Sequence, residues 1–166
     1  MSLGGSPSFV LNRAVANTVR EGSIVCVSAG NKKEDSFLQS PANSKSAICV
    51  GSTMIKDERS SFPNHGLHVD IFAPGSSIAS AGITSRTVHS TKSGTSVATP
   101  HIAGVVARIL SAEPNLTPTG VRARPENTAT ARGALRNIPD YKALDAWEND
   151  TRYADLTVDR NRLLHI

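Results

Sequence analysis

The chain has 166 residues and a formal net charge of +4, with 39% hydrophobic and 19% charged residues. This composition suits one globular domain with its own core and argues against a disordered or fibrous chain. Aromatic residues are only 4%, so the core is expected from Ala, Val, Ile and Leu, and there is no basic stripe interleaved with aromatics to bind nucleic acid.

Residues 8–21, SFVLNRAVANTVRE, put Val10 and Ala14, and Leu11, Val15 and Val19, at helical spacing, with Gly22 as the stop. SIVCVSA (23–29) is a continuous apolar run, expected as a strand buried on both faces of a parallel sheet. A polar loop leads to AICVGST (47–53), a second such strand, and another to HVDIFAPG (68–75), a third, ended by Pro74 and Gly75. SIASAG and TVHST read as a hairpin around ITSR.

A long helix is expected from Thr95 to Ala112. Ala98, Ile102, Val105, Val106 and Ile109 fill most of its circumference, which predicts burial all round. Pro100 is expected within the first turn or so, where a missing N–H does little harm. NLTPTGVRA starts another helix, with Thr117 as N-cap and Pro118 in the first helical position. The arginines between 122 and 136 read as a solvated helix face. Strands alternating with helices predict an α/β fold with a largely parallel sheet.

Cys26 and Cys49 each sit inside an apolar run, where buried free thiols are the default. Spacing does not decide between that state and a disulfide. No Cys or His spacing suits a metal site, and no apolar stretch is long enough to cross a membrane.

The stretch KSGTSVATPHIAGVVARIL (92–110) carries the chemistry. Gly94 permits an unusual backbone dihedral. Ser96 then falls at a helix N-terminus, where free N–H groups and the dipole stabilise developing negative charge on an acyl group. Gly94 and Ala98 let a substrate backbone approach. A serine there also serves as a plain N-cap, and the stretch alone does not separate the two.

GTSVATPHIAGVVA resembles the nucleophile motif of the subtilisin-like serine proteases, particularly the proteinase K branch. Gly94, Thr95, Ser96, Ala98, Pro100, His101, Ala103 and Gly104 fit that pattern. SAGN, Ser28 to Asn31, is similar to the strand end that carries the family's oxyanion-hole asparagine. The resemblance implies Ser96 as nucleophile and Asn31 as oxyanion donor beside the Ser96 amide. MSLGG resembles one wall of the primary specificity pocket, and the other wall would be Ser28, Ala29 and Gly30. Ser2, Leu3, Gly4, Ser28, Ala29 and Gly30 are thus the substrate-binding candidates, on a polypeptide with apolar or aromatic side chains preferred.

SPANSKSAICVGST, SSFPNHG, VDIFAPGSSIASA, LTPTGVRA, GALRNIP and ALDAWEN extend the likeness over residues 1–149. The implied fold is the C-terminal half of a subtilisin-like three-layer domain, followed by a loosely attached non-family tail, 150–166. Pro125 falls where the family runs a continuous helix, and is expected to break or kink it at about 3 kcal/mol. Asp70 matches a calcium-binding position, with backbone carbonyls near Lys45 and Ala47 completing the site. A hard cation wants six or more oxygens, so a carboxylate bonded to nearby backbone is the alternative. No other cofactor is implied.

A subtilisin-like triad runs in the order Asp, His, Ser. No Asp-Thr-Gly and no His-Gly-Thr occurs here. His101 is structural in the family, and His65 and His68 lie in a loop not used for catalysis. The expectation is therefore a fragment in which Met1 is an internal methionine. It keeps the nucleophile and oxyanion hole, lacks the base and its orienter, and is not a competent protease without the missing N-terminal half. The opening MSLGGSPSF has no charged lead or apolar core of a secretory leader, while the full-length family member is expected to be extracellular or vacuolar. Two alternatives remain: an inactive peptide-binding fragment, and an α/β-hydrolase esterase using Asp155 or Asp159 with His165. The residues after Ser96, and SAGN, fit the protease better.

Overall fold

The computed structural model of the chain describes residues 1–128 and 162–163. Helix α1 (Phe9–Arg20) is capped by Ser8, whose hydroxyl accepts from the Leu11 amide at 3.3 Å. Leu11, Val15 and Val19 make its inward stripe, while Val10 and Ala14 of the same pattern are exposed.

Three parallel strands follow, β1 (Cys26–Ser28), β2 (Ile48–Thr53) and β3 (Ile71–Pro74). β1 is shorter than the apolar run that predicts it. Its pairing still extends at both ends, through Ile48 N to Val25 O at 2.8 Å and Ala29 N to Val50 O at 3.0 Å. Gly30, at φ +102, then turns the chain out of the sheet. A hairpin, β4 (Ile78–Ala81) with β5 (His89–Lys92), forms where the sequence predicts one.

The hairpin leads into α2 (Thr95–Ala112), which has the expected bounds. It is not buried all round. Thr95, Ala98, Thr99, Ile102 and Val106 are buried, whereas Ala103, Gly104 and Ala107 are exposed. The expectation counted apolar positions round the circumference. Alanine and glycine carry little area to bury, and among the described residues the sheet covers one side only.

In α3 (Pro118–Thr128), the Thr117 hydroxyl accepts from the Gly120 amide at 3.2 Å, as an N-cap does. The helix does not end at Pro125 but runs to Thr128. A proline there removes one backbone donor, the partner of the Val121 carbonyl, and a single loss does not end the helix. Finally β6 (Arg162–Leu163), from the expected loose tail, pairs parallel with β3 in the register Ile71↔Arg162 and Phe72↔Leu163. The sheet order is β1-β2-β3-β6. GALRNIP, ALDAWEN, Asp155, Asp159 and His165 lie outside the described residues.

Alternation along the strands divides the core between the two sheet faces. Val27, Cys49 and Phe72 pack with Val15 of α1 on one side. Cys26, Ile48, Val50, Ile71 and Ala73 pack with Ala98, Ile102 and Val106 of α2 and Val121 of α3 on the other. The result is a three-layer α/β arrangement. It also decides the cysteines: Cys26 and Cys49 face opposite sides, and both are free. Among the described residues no helix is long and apolar enough to cross a membrane.

Burial raises the Cys26 thiol from 9.0 to about 11, with the N-terminal ammonium pulling the other way. Burial, reinforced by the Asp70 charge and opposed by Arg122, puts Cys49 well above its ordinary range. Ellman's reagent is therefore expected to label neither thiol of the folded chain at mildly alkaline pH, and both on denaturation. The unfolded thiols ionise near 9.0 while Cys26 in the folded state waits until about 11. Their stabilising contribution is complete below the lower value and is lost as pH rises towards the upper one. Urea melts across that window should show the loss, with a shallower slope in Cys26→Ala. Ile102, fully buried between α2 and the sheet, should cost about 2–5 kcal/mol as Ile102→Ala in the same measurement.

Candidate active site

Ser96 is the second residue of α2 and is half-buried. Gly94 is the N-cap and offers no side chain to the first turn, which also holds no acidic residue. The helix start therefore keeps its positive end uncompensated. Thr95 N donates to Asn31 Oδ1, and Val97 N and Ala98 N donate to Gly94 O. Among the described residues, no acceptor takes Ser96 N and no hydrogen bond reaches Ser96 Oγ.

Asn31 is the exposed residue that follows Gly30 after β1. Its Oδ1 accepts twice from Thr95, from the amide at 3.0 Å and from the hydroxyl at 3.0 Å. With the oxygen so engaged, the amide nitrogen points away from Thr95. A Cβ built on Gly94 would lie 3.4 Å from Asn31 Nδ2 and 3.7 Å from Ser96 N. The two N–H groups thus flank one small space that the glycine leaves open.

Thr95, fully buried, ties this together. Its hydroxyl also accepts from Gly30 N at 3.2 Å, which fixes the end of β1 against the start of α2. The sequence pattern contains this threonine but gives it no role, because its partners lie 64 and 65 residues away.

Pro100 is the sixth residue of α2, in its second turn. The N–H it lacks would have bonded the Ser96 carbonyl. Ser2 supplies the missing donor: its hydroxyl reaches Ser96 O at 2.8 Å. A proline within the helix thereby leaves the acceptor that anchors the opening segment beside the serine.

The two segments expected as pocket walls lie side by side. Ser28 N donates to Met1 O at 3.2 Å. Ser2, Leu3 and Gly4 are exposed, Gly30 is half-buried, and Ser28 and Ala29 are buried. Ala29 packs in the core, so it can offer a substrate only backbone. Between the walls stands Gln39, which the sequence reading missed. Its Oε1 is 3.2 Å from a Cβ built on Gly4 and would collide with one on Gly30. Its Nε2 donates to Glu34 Oε1 at 2.7 Å. Asn64, fully buried, accepts from Lys32 N at 2.8 Å and donates its own amide to Gly30 O at 2.9 Å, which shapes the loop after Asn31. Nothing local in the sequence marks either residue.

No described imidazole is hydrogen-bonded to Ser96. The His101 ring lies 3.1 Å from Val97 O on its own helix, and the His68 ring packs on Phe37 with centroids 5.4 Å apart. His65 is bonded through its backbone to Glu34 and Ser36.

Asp70 lies at the start of β3, apart from Ser96 in the fold. Its Oδ2 accepts from Cys49 N at 2.8 Å, and its Oδ1 pairs with the Arg122 guanidinium. Arg122 Nη1 donates to Lys45 O and to Ala47 O, each at 2.8 Å. Among the described residues no group of three or more His, Cys, Asp or Glu is placed to hold a metal ion.

Comparison with known proteins agrees with the site's motifs. The sequence profile described as the subtilase family matches residues 1–160. The extracellular serine proteinase of Thermus sp. (strain Rt41A) is 49% identical over 121 residues, 73% of this chain and 30% of that protein. Alkaline protease 1 of Aspergillus flavus is 44% identical over 150 residues, 90% of this chain and 37% of that one. A solved structure of a cold adapted subtilisin-like serine proteinase matches with a TM-score of 0.79 and 38% identity, over 99% of this chain and 53% of its own. The chain thus spans about a third of the length of these curated relatives. From its serine motif, its three-layer sheet and these likenesses together, the chain belongs to the subtilase family.

Proposed function

We propose that this chain carries the nucleophile and oxyanion hole of a secreted serine endopeptidase. Ser96 Oγ attacks a peptide carbonyl as its proton passes to an imidazole. The tetrahedral oxyanion is held by Asn31 Nδ2 and Ser96 N, and its collapse expels the amine to leave an acyl-enzyme that water then hydrolyses. The observation that carries this reading is the pair of hydrogen bonds that Thr95 donates to Asn31 Oδ1, with the amide nitrogen left on the side of the Gly94 gap. The extracellular location rests on the name of the Thermus relative.

The imidazole comes from polypeptide outside the described residues, packed along β1. Met1 already bonds there as a neighbouring strand would, its ammonium to Cys26 O and its carbonyl to Ser28 N. Beside that edge an apolar hollow between α1 and α2 is lined by Leu11, Ala14, Ile24, Val25, Ala103 and Val106. A partner half-domain that filled it would bury the open side of α2. The 166-residue chain without such a partner is not a competent protease in this reading.

Two experiments test the reading. The isolated chain should react with a fluorophosphonate no faster than free serine, whereas labelling of Ser96 at a protease-like rate would place the base within this chain. Fusion behind the N-terminal part of the Thermus proteinase's catalytic domain should yield peptide hydrolysis that Ser96→Ala abolishes. In that fusion Asn31→Ala should lower kcat by roughly a hundred- to a thousandfold, the loss known for subtilisin itself when its oxyanion asparagine is removed. Hydrolysis that survives Ser96→Ala would end the proposal.

The Gln39 side-chain oxygen lies beside both proposed walls, 3.2 Å from a Cβ built on Gly4 and closer still to one on Gly30. An aromatic residue with a polar tip should therefore be favoured over a purely apolar one. In the same fusion kcat/KM is expected to be higher for tyrosine than for phenylalanine before the scissile bond, and Gln39→Leu should reverse the order.

A further inference from the structure

We infer that Arg122 is the resident cation at the position where the family resemblance implies calcium. The oxygens expected to hold the ion are the Asp70 carboxylate and the carbonyls of Lys45 and Ala47. All three already bond the guanidinium: Nη2 the Asp70 Oδ1, and Nη1 both carbonyls at 2.8 Å each. The other carboxylate oxygen is held by Cys49 N at 2.8 Å. These residues do not fit a divalent ion while Arg122 is there. A hard cation needs six to eight oxygens around it, and here a single carboxylate is shared with a fixed positive charge.

The substitution is chemically coherent. A planar guanidinium presents several N–H donors at fixed angles and does not lose its charge. It can therefore bridge acceptors from separate segments, as a coordinated ion would. Arg122 joins the loop that carries Lys45 and Ala47 to the start of β3 at Asp70, and Asp70 in turn holds β2 through Cys49 N. The Asp70 side chain is 5% exposed and that of Arg122 22%, so the pair is largely shielded from solvent and salt. The neighbouring residue, Val121, is fully buried against the sheet and holds α3 in place for the reach.

One consequence separates this arrangement from a metal site. The cross-link belongs to the chain, so it does not depend on calcium concentration; it depends on α3 being docked. The inference does not rest on the proposed peptidase chemistry, and its test needs no activity.

The test is thermal melting of the whole chain, in EDTA and in millimolar calcium, with calcium binding followed by equilibrium dialysis. The wild-type chain should melt at the same temperature in both and bind no calcium through Asp70. Arg122→Ala should melt lower in EDTA, gain several degrees from calcium, and bind one ion that Arg122→Ala combined with Asp70→Asn does not. A wild-type melting temperature raised by calcium, with the rise lost in Asp70→Asn, would overturn the inference. So would a folded Arg122→Ala chain that acquires no calcium binding. If Arg122→Ala does not fold, the comparison of wild type with Asp70→Asn still decides.

Discussion

The side-chain oxygen of Asn31 has room for two donors, and a single buried residue provides both. Thr95 gives its amide and its hydroxyl to Oδ1, and the same hydroxyl receives Gly30 N. This small network fixes the end of β1, the start of α2 and the direction of one amide at once. An asparagine on an exposed turn otherwise rotates freely, and a donor that must first be oriented contributes less to catalysis than one already in place. The buried core serves this end: Ile102 and Val106 seat α2 on the sheet, and the seat decides where Ser96 stands.

The second organising device is backbone chemistry rather than packing. A proline six residues into a helix is usually a defect. Here it leaves the Ser96 carbonyl for the Ser2 hydroxyl, and so joins the first residues of the chain to the peptide unit of the proposed nucleophile. Gly30 and Gly94 work on the same scale. One turns the chain out of the sheet at a positive φ, and the other leaves open the space between the two candidate donors. Arg122 applies comparable logic on the far side, where one side chain gathers acceptors from two segments.

What the sequence revealed follows from how local each signal is. Ser96 and Asn31 stand in short motifs that resemble the family's, and the resemblance, not the spacing of the residues alone, singles them out. The bounds of α2, the Thr117 cap and the β4–β5 hairpin are local in the same sense. The work of Thr95, Gln39, Asn64 and Arg122 depends on partners brought together by the sheet. Arg122 meets carbonyls 77 and 75 positions away, and no periodicity announces such a meeting. Errors of the opposite kind came from counting residues without their size or position. The apolar positions of α2 predict burial all round, whereas the helix is buried on one side only, and α3 runs past Pro125 to Thr128.

The claim on which the account turns is that Thr95 acts through Asn31. A double-mutant cycle on kcat, using Thr95→Val and Asn31→Ala in the fused catalytic domain, addresses it most directly. The account predicts that the two losses overlap, so that the double variant is little worse than Asn31→Ala. Losses that simply multiply would mean that Thr95 does not aim the amide, and would contradict it.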